Sequence, residues 1–177
     1  MKKVAVIALI SLLALTGCSK KSNPAPVASN SANPSASQST SSYTGQKQDG
    51  TRCGRWQANA DLSNCDLSKS DISQQQLAAA NLSGANLTSA TLTQTVLTKA
   101  NLSNANATGA QIRGAQLGFA VLTNANLSGA DLSATNVGGA NLTGAILTGA
   151  ILTGTAYNDA TIWPAGFDPL AAGATKF

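Results

Sequence analysis

The chain has 177 residues, enough for one domain with appendages, and only 10% of them are charged. It contains no His and no Glu, so an imidazole base and the first-choice protein ligand for zinc or iron are both missing. Of its eleven basic residues, Lys2 and Lys3 lie in the first segment. The remaining nine face seven acidic ones, and a charge of +2 is too small for a nucleic-acid or polybasic membrane footprint.

Met1, Lys2 and Lys3 make a positive start, and Val4 to Thr16 is an apolar run of thirteen residues, short of a comfortable bilayer span. The run ends in Leu15-Thr16-Gly17-Cys18, which resembles the lipobox of bacterial lipoproteins. That resemblance implies a signal peptide over residues 1–17, with Cys18 acylated on its sulfur and again on its new amino terminus. More than one chain is physically required, because a single acyl chain holds a membrane only marginally at about 0.8 kcal/mol per buried CH₂. An ordinary secretory leader is the alternative, although no good A-x-A-like cleavage site precedes Cys18. Ser19 next to the cysteine resembles the outer-membrane sorting signal of enteric-type lipoproteins, where Asp would retain the protein inside. The expected location is the cell envelope, with a lipid anchor at Cys18 and the outer membrane favoured over the inner.

Residues 18–50 are rich in Ser, Asn, Ala, Pro and Gln, with Pro24, Pro26 and Pro34 and almost no large apolar side chains. Such a segment cannot bury enough surface to offset its ordering entropy, so a disordered tether is expected. Roughly 32 residues of this kind have an r.m.s. span of about 30 Å and a maximum reach of about 110 Å. Residues 51–59 then read as an N-terminal cap.

From Ala60 to Gly154 every fifth residue is apolar, from Leu62, Leu67 and Ile72 through to Leu142, Leu147 and Leu152, with Ala107 as the one small exception. Ala usually stands two residues earlier, Asn or Asp lies between, and Ser or Thr follows. Gly closes many repeats, as at Gly84, Gly129 and Gly144, and Asn closes others, as at Asn64, Asn104 and Asn124. A period of five is neither 3.6 nor 2, so neither an amphipathic helix nor a plain strand keeps the Leu residues together. A short extended segment followed by a tight corner does, if each repeat forms one side of a coil. The closing Gly or Asn suits a corner that needs positive φ. The number of sides follows from the exceptions. Gln75, Thr95, Thr135 and Thr155 replace the usual Ala, and all four fall in one class when the chain is counted in twenties. Four repeats therefore make one coil.

This A-(N/D)-L-(S/T)-G pattern resembles the pentapeptide-repeat family. The resemblance implies an all-β fold, a right-handed quadrilateral parallel β-helix, over residues 60–154. Residues 155–177 read as a C-terminal cap and tail. Trp56 precedes the array and Tyr157, Trp163 and Phe167 follow it, where bulky rings can plug the ends of a narrow interior. The run Trp163-Pro164-Ala165-Gly166-Phe167-Asp168-Pro169 resembles the closing segment of some cyanobacterial-type members.

With Cys18 lipidated, Cys53 and Cys65 remain as an even pair in an exported chain. A bridge between cap and first coil is one reading, and two buried free thiols are the other. Asp61, Asp66 and Asp71 occupy the same repeat position on successive sides, so they radiate outward and make a poor acid/base pair. Some family members mimic DNA and bind topoisomerases. Asp61, Asp66, Asp71, Asp131 and Asp159 set against Lys69, Lys99 and Arg113, behind an export leader, disfavour that role. Phe119 and Val121 flank inward Ala120, and Ile146 and Ile151 replace the usual outward Asn, which marks these four as a candidate partner surface. The expectation is a lipid-anchored interaction or structural module without catalysis. It has no cofactor, metal, nucleic acid or small-molecule substrate, and its partner is an unidentified protein or a second copy. A regulatory or accessory subunit of an envelope complex is the alternative.

Overall fold

The computed structural model describes residues 53–177. The signal peptide, Cys18, the tether and the first two residues of the N-terminal cap lie outside the described residues.

Each repeat turns one corner. The carbonyl of Leu62 accepts from the amide of Cys65 at 3.3 Å, and the residue between them at the third turn position, Asn64, has a φ of 54°. This is the signature of a type II turn, which needs φ > 0 at its third residue. The same arrangement recurs every five residues. Gly fills the corner at eight places from Gly84 to Gly154, while Asn, Lys, Gln, Ala, Ser and Phe fill the others at φ values of 54–60°. Between corners each side is almost fully extended but pairs at a single residue, so the walls are built of isolated parallel bridges rather than of long strands.

Sixteen of the seventeen bridges join residues twenty apart, beginning with Asp61 to Asn81 and ending with Asn136 to Ala156. The coil therefore has four sides, and Leu82, Leu102 and Leu122 stack on one wall. The first wall carries the outward row Asp61, Asn81, Asn101, Val121 and Asn141. The second carries Asp66, Asn86, Asn106, Asn126 and Ile146, and the third Asp71, Thr91, Gln111, Asp131 and Ile151. The fourth carries Gln76, Val96, Gln116, Asn136 and Ala156. Amide-to-carbonyl bonds of 2.6–3.0 Å tie each coil to the next, as from Leu87 to Asn106 and from Asn86 to Cys65. At about 4.8 Å per coil the walls are continuous ladders.

The interior follows from the alternation. Leu62, Leu67, Leu77, Leu87 and Leu97 are fully buried, and Ala80, Ala85, Ala90 and Ala100 fill the space beside them. Burying each Leu contributes roughly 1.5–3 kcal/mol. The polar exceptions on the fourth wall are satisfied inside. The hydroxyls of Thr95, Thr135 and Thr155, all fully buried, donate to the carbonyls of Ile72, Ile112 and Leu132 at 2.9, 3.0 and 2.7 Å. Each of those carbonyls sits at the start of a corner in the preceding coil, and a buried hydroxyl needs such a partner. Gln75 keeps its amide near the surface and donates from Nε2 to the Ser73 carbonyl at 3.2 Å.

Ala107 lies in the inward column of the second wall between Leu87 and Leu127 and is 1% exposed. Ala107→Leu should raise the melting temperature, since the reverse change in a core typically costs about 2–5 kcal/mol. A lower melting temperature would show that the neighbours already fill the space.

Wall pairing continues past Gly154. Asn141 pairs with Ile162, a spacing of 21 rather than 20, so one extra residue enters at the last corner. Asn158 and Thr161 absorb it: the amide of Gly139 donates to Asn158 Oδ1 at 2.9 Å and to Thr161 Oγ1 at 3.1 Å, while Thr161 Oγ1 donates to the Val137 carbonyl at 3.0 Å. Two short strands follow, β1 (Ala156–Tyr157) and β2 (Thr175–Lys176), paired in parallel on top of the fourth wall. Tyr157 takes an inward Leu position at 7% exposure. Trp163 meets its ring edge-on at 5.5 Å, and Phe167 stacks on Trp163 at 5.3 Å. These three rings close the C-terminal end of the core.

Candidate interaction surfaces

Most outward polar side chains are committed to the backbone of their own repeat. Asn101 Oδ1 accepts from the Ser103 amide at 3.0 Å and from the Ser103 hydroxyl at 2.7 Å. The same pair of bonds recurs at Asn86 with Thr88, Asn126 with Ser128 and Asn141 with Thr143. These are Asx turns, in which a short side chain holds the residue two places on. Amides of neighbouring coils also bond along a wall, as from Asn86 Nδ2 to Asp66 Oδ1 at 3.0 Å. Rows of Asn and Ser/Thr thus serve the fold before they serve any ligand.

Asp66, Asp71 and Asp131 occupy the same turns. Hydroxyl donation from Ser68, Ser73 and Ser133, followed by their backbone amides, holds each carboxyl below its ordinary value; at Asp131 the nearby Arg113 adds to this. A carboxyl depressed in the folded state stabilises the fold above its unfolded pKa, and that stabilisation is lost as pH falls through the folded value. Melting temperature should therefore be flat from neutral pH down to about pH 4 and decline below it. Asp71→Asn keeps the accepting oxygen, so this variant should lose less between pH 4 and pH 2. An equal loss would assign the decline to other groups.

Cys53 and Cys65 are joined by a disulfide, with a Cα–Cα distance of 5.9 Å. Cys65 occupies an inward Ala-type position and is fully buried, and Cys53 and Trp56 pack partly buried against the first coil. The bridge ties the N-terminal cap to that coil. No group of three or more metal-ligating side chains occurs among the described residues.

The four apolar candidates do not form one patch. Phe119, 60% exposed, sits on the corner between the fourth and first walls, and Val121 begins the adjoining stretch of the first wall. Ile146 and Ile151 lie on the second and third walls of the last coil, each about half exposed at 48% and 50%. Three exposed apolar residues join them that the sequence reading missed: Ile162, Leu170 and Phe177. Ile162 belongs to the row of Val121, a place visible only once the extra residue at the last corner is known. Phe177 is carried onto the fourth wall by β2, where its ring edge comes within 3.0 Å of the position a side chain on Gly138 would take.

The four-sided coil, its five-residue corners and its Leu and Ala interior define a pentapeptide-repeat solenoid. The family model for pentapeptide repeats matches in eight copies over residues 58–94, 80–118, 110–149 and 125–156, more than half of the chain. The chain belongs to the pentapeptide-repeat family, and its fold is the right-handed quadrilateral β-helix. Among solved structures it is similar to alr5209, a pentapeptide repeat protein from Nostoc PCC 7120. That match has 37% identity and a TM-score of 0.55, and covers 60% of this chain and 84% of that one. It is also similar to the pentapeptide repeat protein Rfr23 from Cyanothece 51142, at 40% identity over 50% of this chain and 63% of that one, with a TM-score of 0.40. A third match is HetL of Nostoc sp. PCC 7120, a pentapeptide repeat protein involved in heterocyst differentiation regulation. It is 28% identical over 66% of this chain and 68% of that one, with a TM-score of 0.34. No curated protein sequence matches the chain.

Proposed function

We propose that this protein is a lipid-anchored component of the bacterial cell envelope, with the outer membrane favoured, whose solenoid is a non-catalytic contact module. The sequence Leu15-Thr16-Gly17-Cys18 behind a basic and apolar leader supports the anchor. The observation that carries the contact role is how the outer surface is divided. The Asn, Asp, Ser and Thr rows are engaged in their own turns, whereas Phe119, Val121, Ile146 and Ile151 stand exposed without serving the core. A narrow tube of Leu and Ala offers no enclosed chamber for chemistry, and its walls offer long, regular rows for docking.

Membrane fractionation tests the anchor: the wild type should sediment with membranes and Cys18→Ser should be released to the soluble fraction. Recovery of wild type in the soluble fraction would overturn it. In-cell crosslinking of the lipidated protein tests the contact role, with Phe119→Asp expected to lose a captured component without unfolding the solenoid. A crosslink only to itself that grows with expression level would instead mark a structural homo-oligomer.

A further inference from the structure

The last coil is covered unevenly. On the first wall Ile162 supplies a further rung: its amide donates to the Ala140 carbonyl at 2.9 Å, and its carbonyl accepts from the Leu142 amide at 2.7 Å. On the fourth wall β2 does so, with the Thr175 amide donating to the Thr155 carbonyl at 2.8 Å. The corner leading into that wall is closed as well, by the bond from the Gly154 amide to the Gly173 carbonyl at 2.9 Å. Among the described residues no segment does the same on the second wall. One coil earlier, the amides of Leu127 and Gly129 donate to Ile146 and Thr148 at 2.8 and 2.9 Å, and the Ala125 carbonyl accepts from Ile146 at 2.9 Å. Their counterparts in the last coil are the amides of Leu147 and Gly149 and the carbonyl of Ala145. These three have no partner among the described residues. They form an open sheet edge, a row of main-chain donors and an acceptor in the register of a strand.

Two further features prepare this edge. An open cleft of about 310 Å³ adjoins it, lined by Ala145, Leu147 and Thr148 of the rung and by Pro164 to Phe167 of the cap. The outward row also changes character at its last member. Asp66, Asn86, Asn106 and Asn126 each accept from the amide two residues on, whereas Ile146 cannot hold its turn in this way and stands 48% exposed. A β-branched side chain at that place does nothing for its own corner, but it suits a pleated surface that another strand half covers.

We propose that this edge receives an extended peptide segment of a partner protein, laid parallel to the second wall as one more rung. Unpaired main-chain groups at strand spacing select a polypeptide backbone, because it carries the matching donors and acceptors in the same alternation. The register used between all earlier coils dictates the contacts. The residue over Ile146 donates its N–H to the Ala145 carbonyl and accepts from the Leu147 amide, and the carbonyl two residues on accepts from Gly149. The residue before it stands over Ala145 and is small. The residue after it stands over Leu147 and brings a Leu-sized side chain to the cleft. The ligand is therefore a small–aliphatic–Leu segment, with main-chain bonds for affinity and alternate side chains for selectivity. A second copy is not the occupant. Trp163 and Phe167 of each copy pack over the end of its own core, so two such ends cannot close to the strand spacing of about 4.8 Å. The proposal rests on the contact-module reading and is independent of the lipid anchor.

Titration of the full ¹⁵N-labelled chain in detergent micelles with the peptide Gly-Ala-Ile-Leu-Thr-Gly, the sequence of residues 144–149, tests it by nuclear magnetic resonance. In the free protein the Leu147 and Gly149 amides should exchange with solvent readily while Leu127 and Gly129 are protected. Saturable shifts centred on Leu147 and Gly149, with slowed exchange of both, are expected on adding peptide. N-methylation of the peptide isoleucine removes the N–H that faces Ala145 and should weaken binding about tenfold, or about 1.4 kcal/mol. Replacing the peptide leucine by serine should do the same. Ile146→Asn, which restores the residue type of Asn126, should weaken binding with no loss of melting temperature, and Phe119→Asn should leave it unchanged. No saturable shifts, shifts confined to other walls, or equal affinity of the N-methylated peptide would overturn the proposal. Protection of Leu147 and Gly149 that grows with protein concentration alone would give the edge to a second copy and overturn the assigned partner. Absent peptide binding beside an intact Phe119-dependent crosslink would remove this edge and leave the contact module standing.

Discussion

Leu97→Ala should destabilise the solenoid by about 2–5 kcal/mol, which for a domain of this size lowers the melting temperature by on the order of 10 °C. Leu97 is fully buried on the fourth wall, stacked between Leu77 and Leu117, so truncation removes contacts to three coils at once. A narrow tube cannot close around the hole, because its diameter is set by main-chain bonds such as Leu97 to Gln116 at 2.8 Å. Leu147→Ala makes the comparison. Leu147 ends the column of the second wall and is already 9% exposed, so its loss should cost distinctly less. Equal losses at the two positions, measured by thermal or urea unfolding, would mean that the core is not a stack of interdependent rungs.

Loss of the Cys53–Cys65 bridge should cost about 3 kcal/mol on the chain-entropy model for a loop of this size, and the loss should be local. The bridge spans a sequence separation of 12 and fastens the N-terminal cap over the first coil. Each coil is held chiefly by its neighbours, so fraying of the cap should expose the first rungs and spare the distant end. The two tryptophans sit at opposite ends, Trp56 against the first coil and Trp163 in the C-terminal ring stack. In a Trp163→Phe background, Trp56 is the remaining indole. Its emission should shift red on reduction or in Cys53→Ser, while β-rich circular dichroism persists. Loss of the whole spectrum at the same reductant concentration would show that the cap nucleates the entire fold.

The coil and its four sides were legible because the five-residue period encodes them directly. Ala and Leu two residues apart must share one side of an extended segment, and recurrence of Gln75, Thr95, Thr135 and Thr155 every twenty residues marks one wall. The corners were legible where Gly or Asn, which tolerate positive φ, fills them; at Lys69, Gln74, Ala79, Ser89, Gln94, Lys99, Phe119 and Ala134 the five-residue period alone marks the corner. The end of the array was not. The extra residue before Ile162 leaves the local pattern nearly unchanged, and only the bonds of Asn158 and Thr161 to the previous coil reveal it. Phe177 could not be placed by any periodicity, because its position depends on β2 stacking on β1 across an intervening cap. Phe119 did draw notice as an outward ring, but Gly139, over which the ring lies, comes one coil further on.

The constant offset of twenty residues has a geometric consequence for how such a molecule changes in evolution or in the laboratory. Excising or duplicating one full circuit, for instance residues 81–100, shifts the axial length by a single notch of about 4.8 Å and returns every facade to its original bearing. Removing five residues instead swings everything downstream through a quarter revolution, so that surfaces once aligned come to look in different compass directions. Reach and orientation are thus adjusted by separate kinds of edit.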